Sequence, residues 1–208
     1  MLKRFVYLFA TIVFFAQLNP IQGTDAARSF IEDLGRRAIE SLTKPGASQS
    51  QLESSFQSLL EEGFAVQSIG RFVMGRYWSR MSPDQQSRFI PLFENRLKKS
   101  YANRFQEYRG VVFKIKDARA EGKHVIVSST IQKPGGPLTP VDWRVKGGKI
   151  LDVKVEGVSM SITIRDEYSS LVQQNNGDIE TFLNTLEGGS VSASRKRKAP
   201  SSDDTDDE

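Results

Sequence analysis

The chain has one histidine, His124, and no cysteine. A cysteine nucleophile, cysteine-ligated zinc, an iron–sulfur cluster and a disulfide are therefore excluded, and so is a multi-histidine metal site. Serine-type acyl transfer would need His124 as its base. His124 stands beside Lys123 at the start of a predicted strand, and Gly157-Val158-Ser159-Met160-Ser161 is not a G-x-S-x-G nucleophile elbow. Paired carboxylates come next. Asp152 and Glu156 share the polar face of one predicted strand, and four residues of strand span about 14 Å. That exceeds the roughly 5–9.5 Å over which glycosidase carboxylates cooperate. Asp142 lies across a hairpin from them with Lys154 and Arg144, which reads as a solvated, salt-bridged sheet face. Gly70 to Arg76 (GRFVMGR) falls inside a helical pattern and is not a phosphate loop. No catalytic residue, metal or cofactor is expected. What remains is apolar surface on long elements.

Those elements can be read from periodicity. Phe30, Ile31, Leu34, Ala38, Ile39 and Leu42 make 27–42 a helix. Lys44 to Ser50, with Pro45 and Gly46, breaks it. Leu52, Phe56, Leu59 and Leu60 mark a short helix ended by Gly63. Phe64, Ala65, Ile69, Phe72, Val73 and Trp78 mark another over 64–78. Ser82-Pro83-Asp84-Gln85 is a strong helix start: N-cap serine, proline at N1, glutamine at N3. Phe89, Phe93, Leu97, Tyr101 and Phe105 then recur every four residues, and Pro91 is expected to bend or split the run. After Gly110 the period becomes two: Val111, Phe113, Ile115; Val125, Val127, Ser129, Ile131; Val141, Trp143, Val145; Leu151, Val153, Val155. Gly147-Gly148 joins the last two as a hairpin. Two helices follow, over 162–174 and 178–186. The expected fold class is α+β, with helices packed on a four-stranded antiparallel sheet. The 82–109 stripe and the apolar sheet face either close as ordinary core or leave an apolar cavity between them. Composition leaves both open.

The 208 residues are 38% hydrophobic and 26% charged, a balance for one globular domain. Lys3 and Arg4 followed by the apolar run Phe5 to Ala16 have the form of a secretory signal, too short for an ordinary membrane span. Thr24 and Ala26 supply small residues for a cut before Ala27. The expected division is 1–26 signal peptide, 27–189 folded domain, and 190–208 a disordered charged tail. A signal peptide on a cysteine-free chain points to a bacterial periplasm. The net charge of +4 belongs to 27–189, because the flanking segments cancel at +1 and −1. A mildly basic secreted domain suits anionic partners such as lipid headgroups and makes nucleic acid a poor partner.

Two stretches resemble the MlaC/Ttg2D family, the toluene-tolerance or phospholipid-binding auxiliaries of ABC transport. In Ile150 to Tyr168 the matching residues are Asp152, Val153, Glu156, Gly157, Val158, Ser159, Arg165 and Tyr168. In Ile69 to Phe105 they are Gly75, Arg76, Trp78, Ser82, Pro83, Gln85, Phe89, Phe93 and Tyr101. Met160, Pro91 and the charged tail depart from the pattern. The resemblance implies a cone like that of nuclear transport factor 2, with an apolar pocket. It implies a soluble periplasmic carrier that takes acyl chains inside and leaves the headgroup outside. Its partners would be phospholipid, an outer-membrane lipoprotein–porin complex, and an inner-membrane ABC transporter with an MCE-domain component. The role would be outer-membrane lipid asymmetry. Hopanoid or another apolar lipid is the alternative cargo; a small periplasmic enzyme and a solid-cored interaction protein are the alternative readings.

On that basis the expected lipid-binding residues are Phe72, Val73, Trp78, Phe89, Phe93, Leu97, Tyr101, Phe113, Val127, Trp143, Val145, Val153, Val155, Met160 and Ile164. Arg76, Arg96, Lys99 and Arg165 are expected at the headgroup or a partner. Energetics require depth. A two-chain lipid taken from a bilayer exposes about 30 methylenes, roughly 24 kcal/mol at about 0.8 kcal/mol each.

Overall fold

The computed structural model describes residues 20–188. Most of the expected signal peptide and all of the charged stretch 190–208 lie outside the described residues. The helices are α1 (Pro20–Leu42), α2 (Gln49–Gly63), α3 (Val66–Met74), α4 (Pro83–Tyr101), α5 (Met160–Gln174) and α6 (Ile179–Glu187). Short 3-10 helices follow α3 (Gly75–Arg80) and α4 (Ala102–Tyr108). The strands are β1 (Val112–Glu121), β2 (His124–Gln132), β3 (Leu138–Lys146), β4 (Lys149–Val155) and β5 (Val158–Ser159). None of the described helices is long and apolar enough to cross a membrane.

Capping sets the helix starts. Ser48 and Gln51 form a reciprocal capping box on α2, and Ser82 and Gln85 form one on α4 with Pro83 in the first turn. Asp178 caps α6 by accepting from Thr181 N–H at 3.0 Å. The expected split at Pro91 does not occur, since α4 runs through it. Pro91 and Ser87, four residues before it, are both exposed, so the missing hydrogen bond falls on the solvent side. The four-spaced stripe does not stay α-helical to Phe105; from Ala102 the chain tightens into the 3-10 helix.

The sheet is antiparallel in the order β1-β2-β3-β4-β5, one strand more than expected. The extra strand has two residues. Glu156 and Gly157 have φ of 53° and 81°, a two-residue turn that folds Val158 back onto Val155. A strand that short leaves no periodicity to read. The alternation also slips twice. Between Ile115 and Asp117 the register shifts past Lys116. Between Arg144 and Val145 it shifts again, so Ile150, not Leu151, stands opposite Val145. Ile150 is fully buried and Leu151 half-buried.

The helix laid over the sheet is α1, across β1 and β2, and not the 82–109 helix. Ala27, Ile31 and Leu34 are buried against Val127, Val145 and Ile150. A Cβ built at Gly35 would stand 2.4 Å from Cε1 of Phe113, so glycine lets that ring rest on the helix backbone. The stripe of α4 instead joins a second apolar cluster with α3, α5 and α6. Arg88 on α4 fastens α6 there, pairing with Glu180 and with Glu187 at 2.8 Å.

Candidate functional site

Among the described residues, the candidates His124, Asp142, Asp152 and Glu156 do not meet beneath α1. Asp142 is paired across the sheet with Lys154, and Asp152 with Arg144, which puts both acids on the sheet face away from α1. Ser128 Oγ donates to Asp142 at 2.6 Å and receives from Arg119 at 3.2 Å. A dimple lined by Arg119, Glu121, Ile126, Asp142, Arg144 and Lys154 holds about 30 Å³, room for one or two waters. Glu156 is exposed in its turn, and His124 opens β2 opposite Glu121.

Asp152 has a structural task. Its carboxylate accepts from Ser159 Oγ at 2.6 Å, Ser161 Oγ at 2.5 Å and Ser161 N–H at 3.1 Å. Ser159 is the N-cap of α5 and accepts from Ile162 N–H at 3.1 Å. The Asp152-to-Ser161 motif therefore ties the start of α5 to β4. Asp152→Ala is expected to lower the free energy of unfolding in urea by about 2–3 kcal/mol, because it removes a charged acceptor and strands the buried donors of Ser159 and Ser161.

The expected lipid-binding residues divide between two apolar clusters. Val73, Phe89 and Phe93 are fully buried in the helical cluster, with Trp78, Leu97 and Ile164 partly buried against it. Phe89 and Phe93 stack at 5.7 Å, and Tyr168 stands edge-on to each at 6.1 Å. Phe182 completes the set, 5.6 Å from Tyr168. The Tyr168 hydroxyl is buried with no hydrogen-bond partner among the described residues, and burial pushes its pKa up. Tyr168→Phe is expected to raise the urea midpoint by an amount worth roughly 1 kcal/mol, since an unsatisfied buried hydroxyl is lost without a change of shape. Tyr101 and Met160 are half-buried, whereas Phe72 is 41% exposed.

On the sheet, Val127 and Val145 are buried beneath α1, but Phe113, Ile115, Val125, Trp143 and Val153 stay half-buried, as does Val155 toward β5. Trp143 is held by Nε1–H donating to Ser129 Oγ at 2.8 Å, and Ser129 donates on to the Val141 carbonyl at 3.1 Å. Phe113 meets the indole edge-on at 6.3 Å. Phe30 on α1 is half-buried against the same cluster. The result is an apolar seam between α1 and the sheet. Phe30, Phe64 and Ile150, not among the expected site residues, belong to it. Their apolar types were visible in the sequence; the pairing of α1 with the sheet was not.

Phe64 packs against both clusters. It is sewn to β4, because the Ala65 N–H donates to the Ile150 carbonyl at 2.9 Å. A groove of about 260 Å³ opens there, lined by Glu61, Phe64, Ala65, Val66, Gln67, Ser68 and Glu94. That is just short of the roughly 300–1,000 Å³ of a formed small-molecule pocket. Burial holds the Glu94 carboxyl above its usual range, and repulsion from Glu61 adds to it. A raised folded-state pKa means that Glu94 opposes folding once it ionises and does not oppose it when protonated. Glu94→Gln is therefore expected to be more stable than wild type at pH 7. The difference should close as pH falls through the raised pKa toward the ordinary value of about 4.3. Urea unfolding at pH 7 and pH 4 measures it.

Of the expected headgroup or partner residues, Arg76 donates to Tyr77 Oη at 3.0 Å and lies over that ring. Arg165 lies over the Phe72 ring at 5.1 Å and against Gly75. Arg96 is half-buried and Lys99 exposed on α4.

The described residues form an α+β domain with an apolar seam under one helix. The family model "MlaC protein" matches residues 32–188, and the protein belongs to the MlaC family. Toluene tolerance protein Ttg2D of Pseudomonas putida is 26% identical over 129 residues, which cover 60% of this chain and 59% of that protein. The solved structure of a phospholipid-binding protein from Ralstonia solanacearum, in complex with a phospholipid, superposes with a TM-score of 0.69. It covers 78% of this chain and 95% of that one at 20% identity, which establishes a shared fold.

Proposed function

We propose that the protein is a periplasmic lipid carrier that holds phospholipid acyl chains in the seam between α1 and the sheet. The observation that carries this reading is the half-buried row Phe113, Trp143 and Val153 on the inward face of the sheet, under a helix that covers it incompletely. Family membership and the phospholipid complex of the Ralstonia protein support it. Residues 1–26 act as the signal peptide. A cut before Ala27 keeps the packing of α1, because Ala27 is the first residue of that helix described as buried. In the periplasm the carrier exchanges cargo with an outer-membrane lipoprotein–porin complex and with an MCE-domain ABC transporter, which maintains outer-membrane lipid asymmetry.

Loading follows from the geometry. The groove at Phe64 is smaller than a two-chain lipid needs, so α1 and α2 must yield from the sheet as the chains enter. Each methylene that enters recovers about 0.8 kcal/mol of exposure. The carboxylates of Glu61 and Glu94 disfavour a phosphate at that groove, so the headgroup stays outside it. Indole fluorescence tests this placement. The chain has two tryptophans, Trp78 and Trp143. In a Trp78→Phe protein, phospholipid brominated on its acyl chains should quench Trp143. Quenching of Trp78 alone, in a Trp143→Phe protein, would move the chains to the helical cluster and overturn the placement.

A further inference from the structure

Part of the positive charge is neutralised in place. Arg36 and Arg37 pair with Asp33, Glu40 and Glu62; Arg88 with Glu180 and Glu187; Lys133 with Glu107; Arg144 with Glu121. Three of the arginines outside these pairs gather at one place. No ion pair among the described residues includes Arg76, Arg80 or Arg165. Arg76 and Arg80 lie on the 3-10 helix that follows α3, and Arg165 reaches over from α5.

Their partners are aromatic rings and not carboxylates. Arg76 and Arg80 stand 5.0 and 5.6 Å from the centroid of Tyr77, and Arg165 stands 5.1 Å from that of Phe72. The hydrogen bond from Arg76 holds the Tyr77 phenol below its ordinary range, and the Arg80 charge adds to it. Asp166 and Glu167 follow Arg165 on α5; Asp166 is exposed one turn after Ile162, so three arginines stand against one acid at this edge. Apolar side chains stand among the cations. Phe72 is 41% exposed, and Ile162, one helical turn before Arg165, is 52% exposed.

We propose that this face, formed by Phe72, Arg76, Arg80, Ile162 and Arg165, docks the protein onto an anionic phospholipid bilayer. The role of the docking rests on the carrier reading; its chemistry rests on the arginines. Guanidinium forks bind phosphate oxygens in pairs of hydrogen bonds. Exposed Phe and Ile side chains can pass the phosphate plane into the acyl boundary. A bilayer asks for a net positive field with apolar side chains inside it, and that is what this face exposes. A protein partner would be matched by charges of both signs.

The full mature chain is tested by co-sedimentation with vesicles of phosphatidylglycerol and phosphatidylcholine in equal parts, and with vesicles of phosphatidylcholine alone. Binding should favour the anionic vesicles and weaken with salt. Arg76→Ala, Arg80→Ala and Arg165→Ala together should weaken it on the order of a hundredfold. Lys114→Ala, Lys116→Ala and Lys146→Ala, the same charge removed from exposed positions on β1 and β3, should change it by about threefold or less. Urea unfolding confirms that both triple variants are folded. Equal binding to both vesicle types overturns the proposal, and so does full binding by the arginine variant or equal loss in the lysine variant. Loss of all binding on replacing Arg195, Lys196, Arg197 and Lys198 by alanine gives the binding to that run and also overturns it. Capture of an acidic peptide through the three arginines, with no vesicle binding, gives the face to a protein partner and overturns it. Lipid extracted from the same preparation keeps the two readings apart: vesicle binding without bound lipid leaves the docking standing and removes the carrier.

Discussion

Phe93→Ala should lower the unfolding free energy of delipidated protein by about 3–5 kcal/mol, the loss typical of a packed phenylalanine. Against a total of roughly 5–15 kcal/mol for an ordinary domain, that is a large fraction. The ring is fully buried, stacked on Phe89 and met edge-on by Tyr168, so little can collapse into the space it leaves. The four-spaced stripe in the sequence allowed a different outcome, a small loss, if Phe93 faced a cavity. The structure faces it to α5, where ordinary packing costs apply. Delipidated protein is the right reference because bound cargo stabilises whatever binds it. Chemical denaturation with a matched slope measures the loss; a change under 1 kcal/mol would return Phe93 to a cavity wall.

Val153→Trp should leave the protein folded and remove its lipid. Val153 is half-buried opposite Trp143 on the inward sheet face, where the carrier reading places acyl chain. A tight core would lose roughly 1–3 kcal/mol to such overpacking. In the seam the added indole takes the place of acyl chain, so stability should change by less than that while occupancy falls toward zero. Leu97→Trp is the matched comparison. Leu97 packs on the helical cluster, and its enlargement should leave occupancy near that of wild type. Lipid-to-protein ratios in the two variants decide between the seam and the α4 stripe.

Local rules carried much of this architecture. Ser82 and Gln85 do cap α4 as their spacing predicts, the Gly147-Gly148 hairpin joins β3 to β4, and the period of two marks four strands. What failed was long-range choice. Helices α1 and α4 each show an apolar stripe, and nothing in a stripe says which layer it will meet. The glycine at position 35 was the usable clue, because it is the place where a ring from the sheet can touch the helix backbone. Strand β5 was illegible because two residues have no period, and Ile150 was misplaced because a bulge carries no pattern of its own. The motif Asp152 to Ser161 was legible as a motif, but its hydrogen bonds show that it builds the β4–α5 joint. The candidate site was thus half readable: the sheet residues of the seam by alternation, the helix residues facing them only from the fold.

The most direct measurement is mass spectrometry of lipid extracted from protein purified from the periplasm without added lipid. A seam that carries acyl chains predicts diacyl phospholipid near one molecule per protein in wild type, the same in Leu97→Trp, and close to none in folded Val153→Trp. Wild-type protein free of lipid, or Val153→Trp protein that keeps its full complement, would contradict it.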